Sequence, residues 1–456
     1  RVITAITGGP SKAVGILPGD CIVAIDGKPF VGKVVSNDEA VHRLKGPKGS
    51  KVTVGVIRAG EKTLRNFTIR RDDIPIKSIQ TAYMLDEKTG YIKVDQFADS
   101  TYPEFLVALA KLGQQGATRL VLDLRGNHGG FVQPAIRMAY EFLPGNRMVF
   151  YMQGRHSPRE NFISDGRGAH QSTPLIVLVD EQTASASEIF AGSMQDNDRA
   201  LIVGRRSFGK GLVQESIEFR DGSMLRLTIA RYYMPSGRCV QKPYTPGDFE
   251  EYEMDFINRI KSGELESGDS IKERGKKYYT RLGRTVYSEN GITPDVFVPE
   301  QTELLTSYVK EASMKGLLVK YAYVYTNENR KALSELKTWE EVAAWLKKHD
   351  VVDKFADYAN KNGLPRRNLL IKKSHRLLQT YLCGYIIDDL LGRDALTRYL
   401  NSDDKCVITA LKLMNEGKAF PAAPKKPRQD KPKNGKERTA QAGCGVEMQA
   451  QPSFFA

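Results

Sequence analysis

Residues 175–194 read LIVLVDEQTASASEIFAGSM, and this stretch decides the fold of the chain. Its first five residues, Leu175–Val179, form the continuous apolar run that is typical of a strand buried on both faces of a sheet, and Asp180 ends the strand. Ile189, Phe190 and Met194 then follow with the spacing of one apolar helix face. A strand that runs into a helix in this way is the repeating unit of a layered α/β domain.

A second strand of the same kind, Arg119–Leu124, runs into the turn Arg125–Gly130, which reads RGNHGG. The adjacent Gly129 and Gly130 allow backbone N–H groups to approach a ligand closely, so this turn can supply an oxyanion donor. A tight strand-to-helix connection is the simpler interpretation of a single glycine pair. His128 is a possible base, but a polar loop residue without a mechanistic role is its simpler interpretation.

The serine cluster Thr183–Ile189 places Ser185 where the helix begins. A serine at a helix N-terminus is commonly an N-cap, whose hydroxyl satisfies a free backbone N–H. The same position also suits a nucleophile, because negative charge that develops there meets the helix dipole and the free N–H of Ala186. A small neighbour such as Ala184 leaves room for a peptide carbonyl. The cluster alone therefore leaves both interpretations open.

A lysine flanked by glycines, Lys210, follows in the run Phe208–Gln214, which reads FGKGLVQ. An exposed lysine, with a pKa of about 10.4, is charged at neutral pH, but burial and a nearby positive dipole lower that pKa and make the amine a base. Leu212–Phe219 is predicted as a strand, and if pairing starts near Lys210, then Lys210 and Gln214 lie on one face. Gln214 could then hold the amine toward Ser185, so we predict a Ser–Lys pair.

Composition changes divide the chain into four predicted regions. Residues 1–72 contain short β-type runs, at 51–58 and 66–69, between Gly/Pro turns, and residues 73–300 alternate strands with helical patterns. Residues 301–420 carry 3.6-period stretches such as 339–348 and 374–391, which predict helices. Residues 421–456 are rich in Pro, Lys, Gln and Gly and are predicted to be disordered.

The formal charge of +14 belongs mainly to a solvated surface. Seven lysines and arginines against three acids give residues 421–456 a net charge of +4, and elsewhere basic and acidic residues alternate. Because no aromatic-plus-basic motif accompanies this charge, specific nucleic-acid binding is not predicted. No apolar stretch approaches the roughly 20 residues of a membrane-spanning helix.

The five cysteines are scattered and the six histidines form no ligand set, so neither a metal nor any other cofactor is predicted. The chain begins at Arg1 without a signal-peptide pattern, from which we expect a fragment or a processed product.

Motifs spread over roughly residues 1–300 together resemble the carboxyl-terminal processing peptidases, also called tail-specific proteases. Each motif alone is weak, but their order along the chain is specific. The motifs are Pro18–Gly27, Gly90–Phe97, Asp123–Gly130, Thr183–Ile189, Phe208–Gln214 and Asn290–Asp295.

The resemblance implies a mixed α/β (α+β) fold with a crotonase/Clp-protease-like ββα core. A β-rich PDZ domain at residues 1–72 would precede the peptidase core at residues 73–300. The PDZ strand and loop that grip a substrate carboxylate in this family would lie upstream of Arg1, so the domain is expected to be partial. Residues 301–420 lie outside the shared core as a helical extension, and 421–456 form a basic tail.

The resemblance assigns the nucleophile to Ser185, the general base to Lys210 and the orientation of the lysine to Gln214. It assigns the oxyanion hole to the backbone of Ala186 and to one glycine of the pair, Gly130 in preference to its neighbour. Further residues that match the motifs are interpreted as supporting structure: Asp123, Arg125, Asn127, Ser187 and Glu188.

The implied function is that of a serine endopeptidase, which cleaves protein substrates near their C-terminus through an acyl-enzyme. The PDZ domain would recognise an apolar substrate tail. Self-association and a peripheral or lipid-anchored link to a membrane are further expectations, and the family implies a periplasmic or otherwise extracytoplasmic location. The alternatives are a non-catalytic PDZ scaffold and a crotonase-like enzyme that acts on acyl-CoA.

Overall fold

A computed structural model describes residues 2–424 apart from residues 4, 7, 32–35, 59, 60, 75, 246, 248 and 272–274. The strands, in chain order, are β1 (Cys21–Ile25), β2 (Lys28–Pro29), β3 (Lys51–Ile57), β4 (Leu64–Arg70), β5 (Thr81–Met84), β6 (Thr89–Lys93), β7 (Arg119–Asp123), β8 (Met148–Gln153), β9 (Glu160–Ile163), β10 (Leu175–Val179), β11 (Leu201–Gly204), β12 (Leu212–Glu218), β13 (Met224–Tyr233), β14 (Lys277–Tyr279), β15 (Thr285–Tyr287) and β16 (Val296–Phe297).

The helices, in chain order, are α1 (Pro10–Ala13), α2 (Asn37–Leu44), α3 (Thr101–Gln114), α4 (Val132–Phe142), α5 (Ala186–Asp196), α6 (Phe249–Lys261), α7 (Ser307–Met314), α8 (Leu317–Glu328), α9 (Arg330–Leu333), α10 (Trp339–Lys348), α11 (Val351–Lys361), α12 (Asn368–Lys373), α13 (His375–Leu391), α14 (Arg393–Asn401) and α15 (Lys405–Asn415). Within the described part of the chain, no helix is long and apolar enough to cross a membrane. The predicted disordered tail lies, from residue 425 onward, outside the described residues.

The N-terminal strands form a small antiparallel sheet in the order β2-β1-β3-β4. The alternation of β3 turns Val52, Val54 and Val56 into the interior, where they meet Ile25 and Ile69. The two β-type runs predicted from the sequence in this region are confirmed as β3 and β4.

The central sheet runs in the order β16-β11-β10-β7-β6-β5, with parallel neighbours except for the antiparallel pair β5 and β6. Strand β10 is buried along its whole length, as its continuous apolar sequence predicts for a strand covered on both faces. On one face Leu122 and Val177 pack against the apolar sides of α3, α4 and α5, which contribute Phe105, Phe142 and Phe190.

The opposite face of the same sheet is covered by α15. Val121 and Leu178 pack there against Val407 and Ala410 of the helix. The motifs resembling the family stop near residue 300, yet a helix from the C-terminal region completes the core around the central sheet. Sequence periodicity alone could predict this helix but not the sheet face that it covers.

The other C-terminal helices surround a second apolar cluster, which contains Tyr308, Phe355 and Leu382. The predicted helices at 339–348 and 374–391 are confirmed as α10 and α13. A four-stranded antiparallel sheet, in the order β12-β13-β8-β9, and the hairpin β14-β15 complete the described architecture. The predicted fold class, mixed α/β with a helical C-terminal region, is confirmed.

Strand register brings the two chemistry-bearing turns together. Because β7 and β10 are parallel neighbours with Asp123 opposite Leu178, both strands end at the same edge of the sheet. The turn that contains the glycine pair and the turn that contains the serine cluster are therefore adjacent, as ligand-binding turns are at the carboxyl edge of parallel sheets.

Candidate active site

Ser185 lies on a sharp turn between β10 and α5, directly before the first residue of the helix. Its backbone has φ +56° and ψ −119°, a conformation that non-glycine residues adopt only at a cost of about 1–3 kcal/mol. An ordinary N-cap has an extended backbone, so capping alone does not account for this geometry. A strained residue of this kind usually marks a functional position, and here it presents a serine at the positive end of a helix.

The glycine pair packs directly against this serine turn. A Cβ atom on Gly129 would lie 2.7 Å from the Cβ of Ser185 and 3.0 Å from the backbone nitrogen of Ala186. A Cβ on Gly130 would lie 2.0 Å from the carbonyl oxygen of Phe97. Both glycines have positive φ, +96° and +138°. The structure therefore requires glycine at both positions, because of the backbone conformation and because a side chain would have no room.

The backbone bonding of the turn distinguishes the two glycines as donors. The N–H of Gly129 donates to the side-chain oxygen of Asn127 at 2.8 Å. The N–H of Gly130 makes no hydrogen bond within the described part of the chain, and neither does that of Ala186 at the start of α5. These two amides can therefore donate to a ligand oxygen, whereas the N–H of Gly129 is already used.

Asn127 holds the glycine turn in this shape. Its side-chain nitrogen donates to the carbonyl of Val94 at 2.9 Å, and its own carbonyl accepts from the N–H of Ala184 at 3.0 Å and the hydroxyl of Ser187 at 3.1 Å. Ser187 thus ties the serine turn to the glycine turn, in agreement with its interpretation as supporting structure.

Glu188 joins the serine turn to the loop that carries Lys210. One of its carboxylate oxygens accepts from the backbone N–H of Ser185 at 2.9 Å and from that of Lys210 at 2.8 Å. The other accepts from the N–H of Gly209 at 2.8 Å and from the hydroxyl of Ser207. Burial raises the pKa of the Glu188 carboxyl, and these donors oppose that effect. The four bonds fix the separation of the two turns.

The predicted side chains meet in one cavity of about 510 Å³, which is lined by Ser185, Lys210, Gln214, Gly130 and His128. Strand pairing begins at Leu212, two residues after Lys210, and Gln214 and Ser216 follow on the cavity side. Among the described residues, no hydrogen bond joins the Lys210 amine to the Ser185 hydroxyl. The cavity walls are otherwise mostly apolar, with Ile136, Phe150 and Phe162 among them.

Tyr232 also lines this cavity, although it lies in none of the sequence motifs. It lies on β13, and its hydroxyl shares its single proton between the carbonyl oxygens of Ser185 and Lys210. A tyrosine in an alternating strand carries no signal for such a role, because only the tertiary pairing of β13 with β12 brings it to the site.

A buried ion pair supports the glycine turn from below. The Arg125 guanidinium bonds the Asp123 carboxylate at 2.7 Å, and Tyr91 donates to the same carboxylate at 2.6 Å. Burial would raise the pKa of Asp123, but Arg125 and Lys93 outweigh it and hold the pKa well below its usual range. These bonds tie Asp123 and Arg125 to each other and to Tyr91, and their supporting role stays a prediction.

Family models match three segments of the chain. Residues 88–250 match peptidase family S41, residues 1–58 match a PDZ domain, and residues 308–392 match a family of unknown function (DUF8443).

Two relatives and one solved structure illustrate the similarity. The chain is 39% identical over 247 residues to a carboxyl-terminal-processing protease of Synechocystis sp., a match that covers 53% of this chain and 56% of the relative. It is 31% identical over 279 residues to the carboxy-terminal processing protease CtpA of Bacillus subtilis, covering 59% and 58%. A solved photosystem II D1 C-terminal processing protease is 26% identical, with a TM-score of 0.36 and coverage of 65% and 67%. The chain spans less than two thirds of the length of the two curated relatives.

Proposed function

We propose that this chain, which carries a peptidase family S41 domain and a PDZ domain, is a serine endopeptidase that cleaves protein substrates near their C-terminus. The observation that carries the proposal is the single cavity that Ser185, Lys210 and Gln214 share, beside two backbone amides free to bind an oxyanion. The names of the curated relatives support the C-terminal preference.

The proposed reaction uses only groups of this chain and water. Neutral Lys210 takes the hydroxyl proton of Ser185 as the serine oxygen attacks the scissile carbonyl carbon. The amides of Gly130 and Ala186 stabilise the resulting oxyanion. The C–N bond then breaks, the leaving amine takes the proton from Lys210, and water hydrolyses the acyl-enzyme. Gln214 orients the lysine amine.

In the proposed reaction, the Lys210 side chain moves to Ser185 when a substrate peptide fills the cavity. The lysine is half-buried, Glu188 holds the N–H groups of Gly209 and Lys210, and Gln241 holds that of Gly211, so the movement belongs to the flexible lysine side chain. A peptide that fills the apolar cavity would exclude water and press the amine toward the serine.

The PDZ domain is proposed to hold the apolar C-terminal residues of the substrate, since such domains bind an extended peptide at a sheet edge. The proposed divisions are residues 1–72 for this domain, 73–300 for the peptidase core, 301–420 for the helical region and 421–456 for the tail. A periplasmic or other extracytoplasmic location is proposed from the family. Self-association and a membrane link stay predictions.

The decisive experiment measures cleavage of an unfolded protein with an apolar C-terminus. We expect Ser185→Ala and Lys210→Ala each to lose activity by about 10³-fold or more, while Ser187→Ala retains most of it. A fluorophosphonate probe should label the unaltered protein and not the Ser185→Ala variant. Near-normal cleavage by either of the first two variants would exclude the proposed pair of residues.

The rival functions give different results in the same experiments. A crotonase-like enzyme would bind coenzyme A and leave the probe unreacted. A non-catalytic scaffold would bind the tail peptide, and the unaltered protein would cleave nothing.

A further inference from the structure

We propose that Tyr232 is a positioning residue that aims both the oxyanion donor and the base. This inference rests on the proposed function, because it gives a role to one hydroxyl of the same site. Tyr232 is 1% exposed, and its ring packs edge-on against Phe150, with ring centroids 6.3 Å apart. The ring is thus held in one orientation before any substrate arrives.

The first group that Tyr232 fixes is the peptide unit between Ser185 and Ala186. The tyrosine hydroxyl lies 3.2 Å from the carbonyl oxygen of Ser185. In a trans peptide unit the carbonyl and the following N–H point in opposite directions. Holding the Ser185 carbonyl therefore sets the direction of the Ala186 N–H, which is the proposed oxyanion donor.

The strain at Ser185 gives this bond its importance. A residue with φ +56° and ψ −119° relaxes toward a commoner conformation unless its neighbours prevent it. The Ser185 carbonyl also accepts from the N–H groups of Glu188 at 2.8 Å and Ile189 at 3.0 Å, which belong to the helix itself. Tyr232 supplies the restraint from outside the helix.

The second group is the peptide unit between Lys210 and Gly211. Its carbonyl accepts from the hydroxyl of Tyr232, and its N–H donates to the side-chain oxygen of Gln241 at 2.8 Å. Both ends of this unit are therefore fixed, and with them the direction in which the Lys210 side chain leaves the backbone. One hydroxyl thus joins the serine turn to the loop that carries Lys210, in addition to the bonds made by Glu188.

The test is the Tyr232→Phe variant, with Tyr233→Phe as the matched control. Tyr233 is the next residue of β13 and stacks on Tyr151 at 4.8 Å, on the other side of the strand. We expect kcat of Tyr232→Phe to fall about 10- to 100-fold with KM changed less than twofold, because only the transition state uses the aimed donor. The control variant should match the unaltered protein.

A second measurement separates positioning from folding. A peptide aldehyde forms a tetrahedral adduct with a serine, so its affinity for Tyr232→Phe should fall in parallel with kcat. An uncleaved substrate peptide should bind the single variant Ser185→Ala and the double variant Ser185→Ala, Tyr232→Phe with equal affinity. If Tyr232→Phe does not fold, 4-aminophenylalanine at position 232, which keeps a donor, should restore activity, whereas 4-methoxyphenylalanine should not.

The outcomes distinguish the two proposals. If the unaltered protein cleaves and Ser185→Ala does not, but Tyr232→Phe keeps kcat and aldehyde affinity within twofold, the positioning role is wrong and the serine peptidase stands. Equal rescue by the amino and methoxy side chains would likewise overturn it. If the unaltered protein does not cleave, the proposed function fails and the role of Tyr232 fails with it.

Discussion

Single backbone conformations decide whether this site can form. The serine turn and the glycine turn touch each other through atoms that leave no room for a side chain at residue 129. The strained φ of Ser185 and the positive φ values of Gly129 and Gly130 occur within the same contact. Residue identity matters at these positions because it determines which backbone conformations are allowed, and substitutions should therefore change both stability and activity.

We predict that Gly129→Ala abolishes peptidase activity and destabilises the protein by about 2–4 kcal/mol, since a Cβ would strike the Ser185 turn and φ +96° is costly for alanine. Gly126→Ala is the matched control. It lies in the same turn with φ +71°, and a Cβ there meets no atom within 4 Å. Urea unfolding and peptide cleavage measure both variants, and an active, stable Gly129→Ala protein would contradict the assigned contact.

The ion pair of Asp123 and Arg125 predicts that the free energy of unfolding depends on pH. The pKa of Asp123 is lowered in the folded protein, so its ionised form stabilises the fold above the unfolded pKa of about 3.9. This contribution is lost as the pH falls through the lower, folded pKa. Asp123→Asn should cost about 3–5 kcal/mol at pH 7, and the difference from the unaltered protein should shrink below about pH 4.

Urea titrations between pH 7 and pH 3 measure this difference. Asp99→Asn, an exposed carboxylate, is the control and should stay within about 0.5 kcal/mol of the unaltered protein. If the difference in unfolding free energy between Asp123→Asn and the unaltered protein is constant across the pH range, ionisation of Asp123 does not cause the pH dependence.

At the scale of elements, the site is a set of turns held in register by α5. Glu188, on the first turn of this helix, is the shared acceptor for the serine turn and the loop that carries Lys210. The loop that carries Lys210 is held by further bonds: Arg259 donates to the Ser207 carbonyl at 3.1 Å, and the Gly209 carbonyl accepts from the N–H of Lys242 at 2.9 Å. The loop therefore behaves as a rigid part of the helix end.

We predict that Glu188→Gln destabilises the protein by about 3 kcal/mol and reduces activity at least tenfold. Each carboxylate oxygen accepts from two donors, so either orientation of a glutamine amide places its NH₂ against two donors. Glu341→Gln is the control, because Glu341 caps α10 at an exposed position and should cost about 1 kcal/mol or less. Equal losses in the two variants would contradict the anchoring role of Glu188.

The elements that the sequence predicted best are those with a strong period or a continuous apolar run. Strand β10, helix α10 and the meeting of Ser185, Lys210 and Gln214 in one cavity follow from such patterns and from the ordered motifs. Tyr232 and the shared acceptor role of Glu188 could not be predicted, because each depends on contacts between segments far apart in sequence. Hydrogen bonds between distant segments produce no periodic pattern in the sequence.

At the scale of the whole molecule, one C-terminal helix packs into the interior of the central sheet, while the other C-terminal helices surround their own apolar cluster. Helix α15 covers the second face of the central sheet, and Asp404 at its N-cap bonds Arg125 at 2.7 Å. Arg119, at the start of β7, donates to the carbonyl of Met414 at 3.0 Å at the other end of the helix. The glycine turn therefore depends for support on a segment beyond the residues that match the family model.

We predict that the core and the helical region unfold in one transition. Both tryptophans of the chain, Trp339 and Trp345, lie in α10, so their fluorescence follows the helical region, whereas peptide cleavage follows the core. Ala410→Asp would bury a carboxylate without a partner between α15 and the sheet, at a cost of about 3 kcal/mol or more, and should shift both urea midpoints together. Ile408→Asp, at an exposed position of the same helix, should shift neither. Activity lost at a lower urea concentration than the fluorescence change would show that the two regions unfold independently and that α15 does not link them.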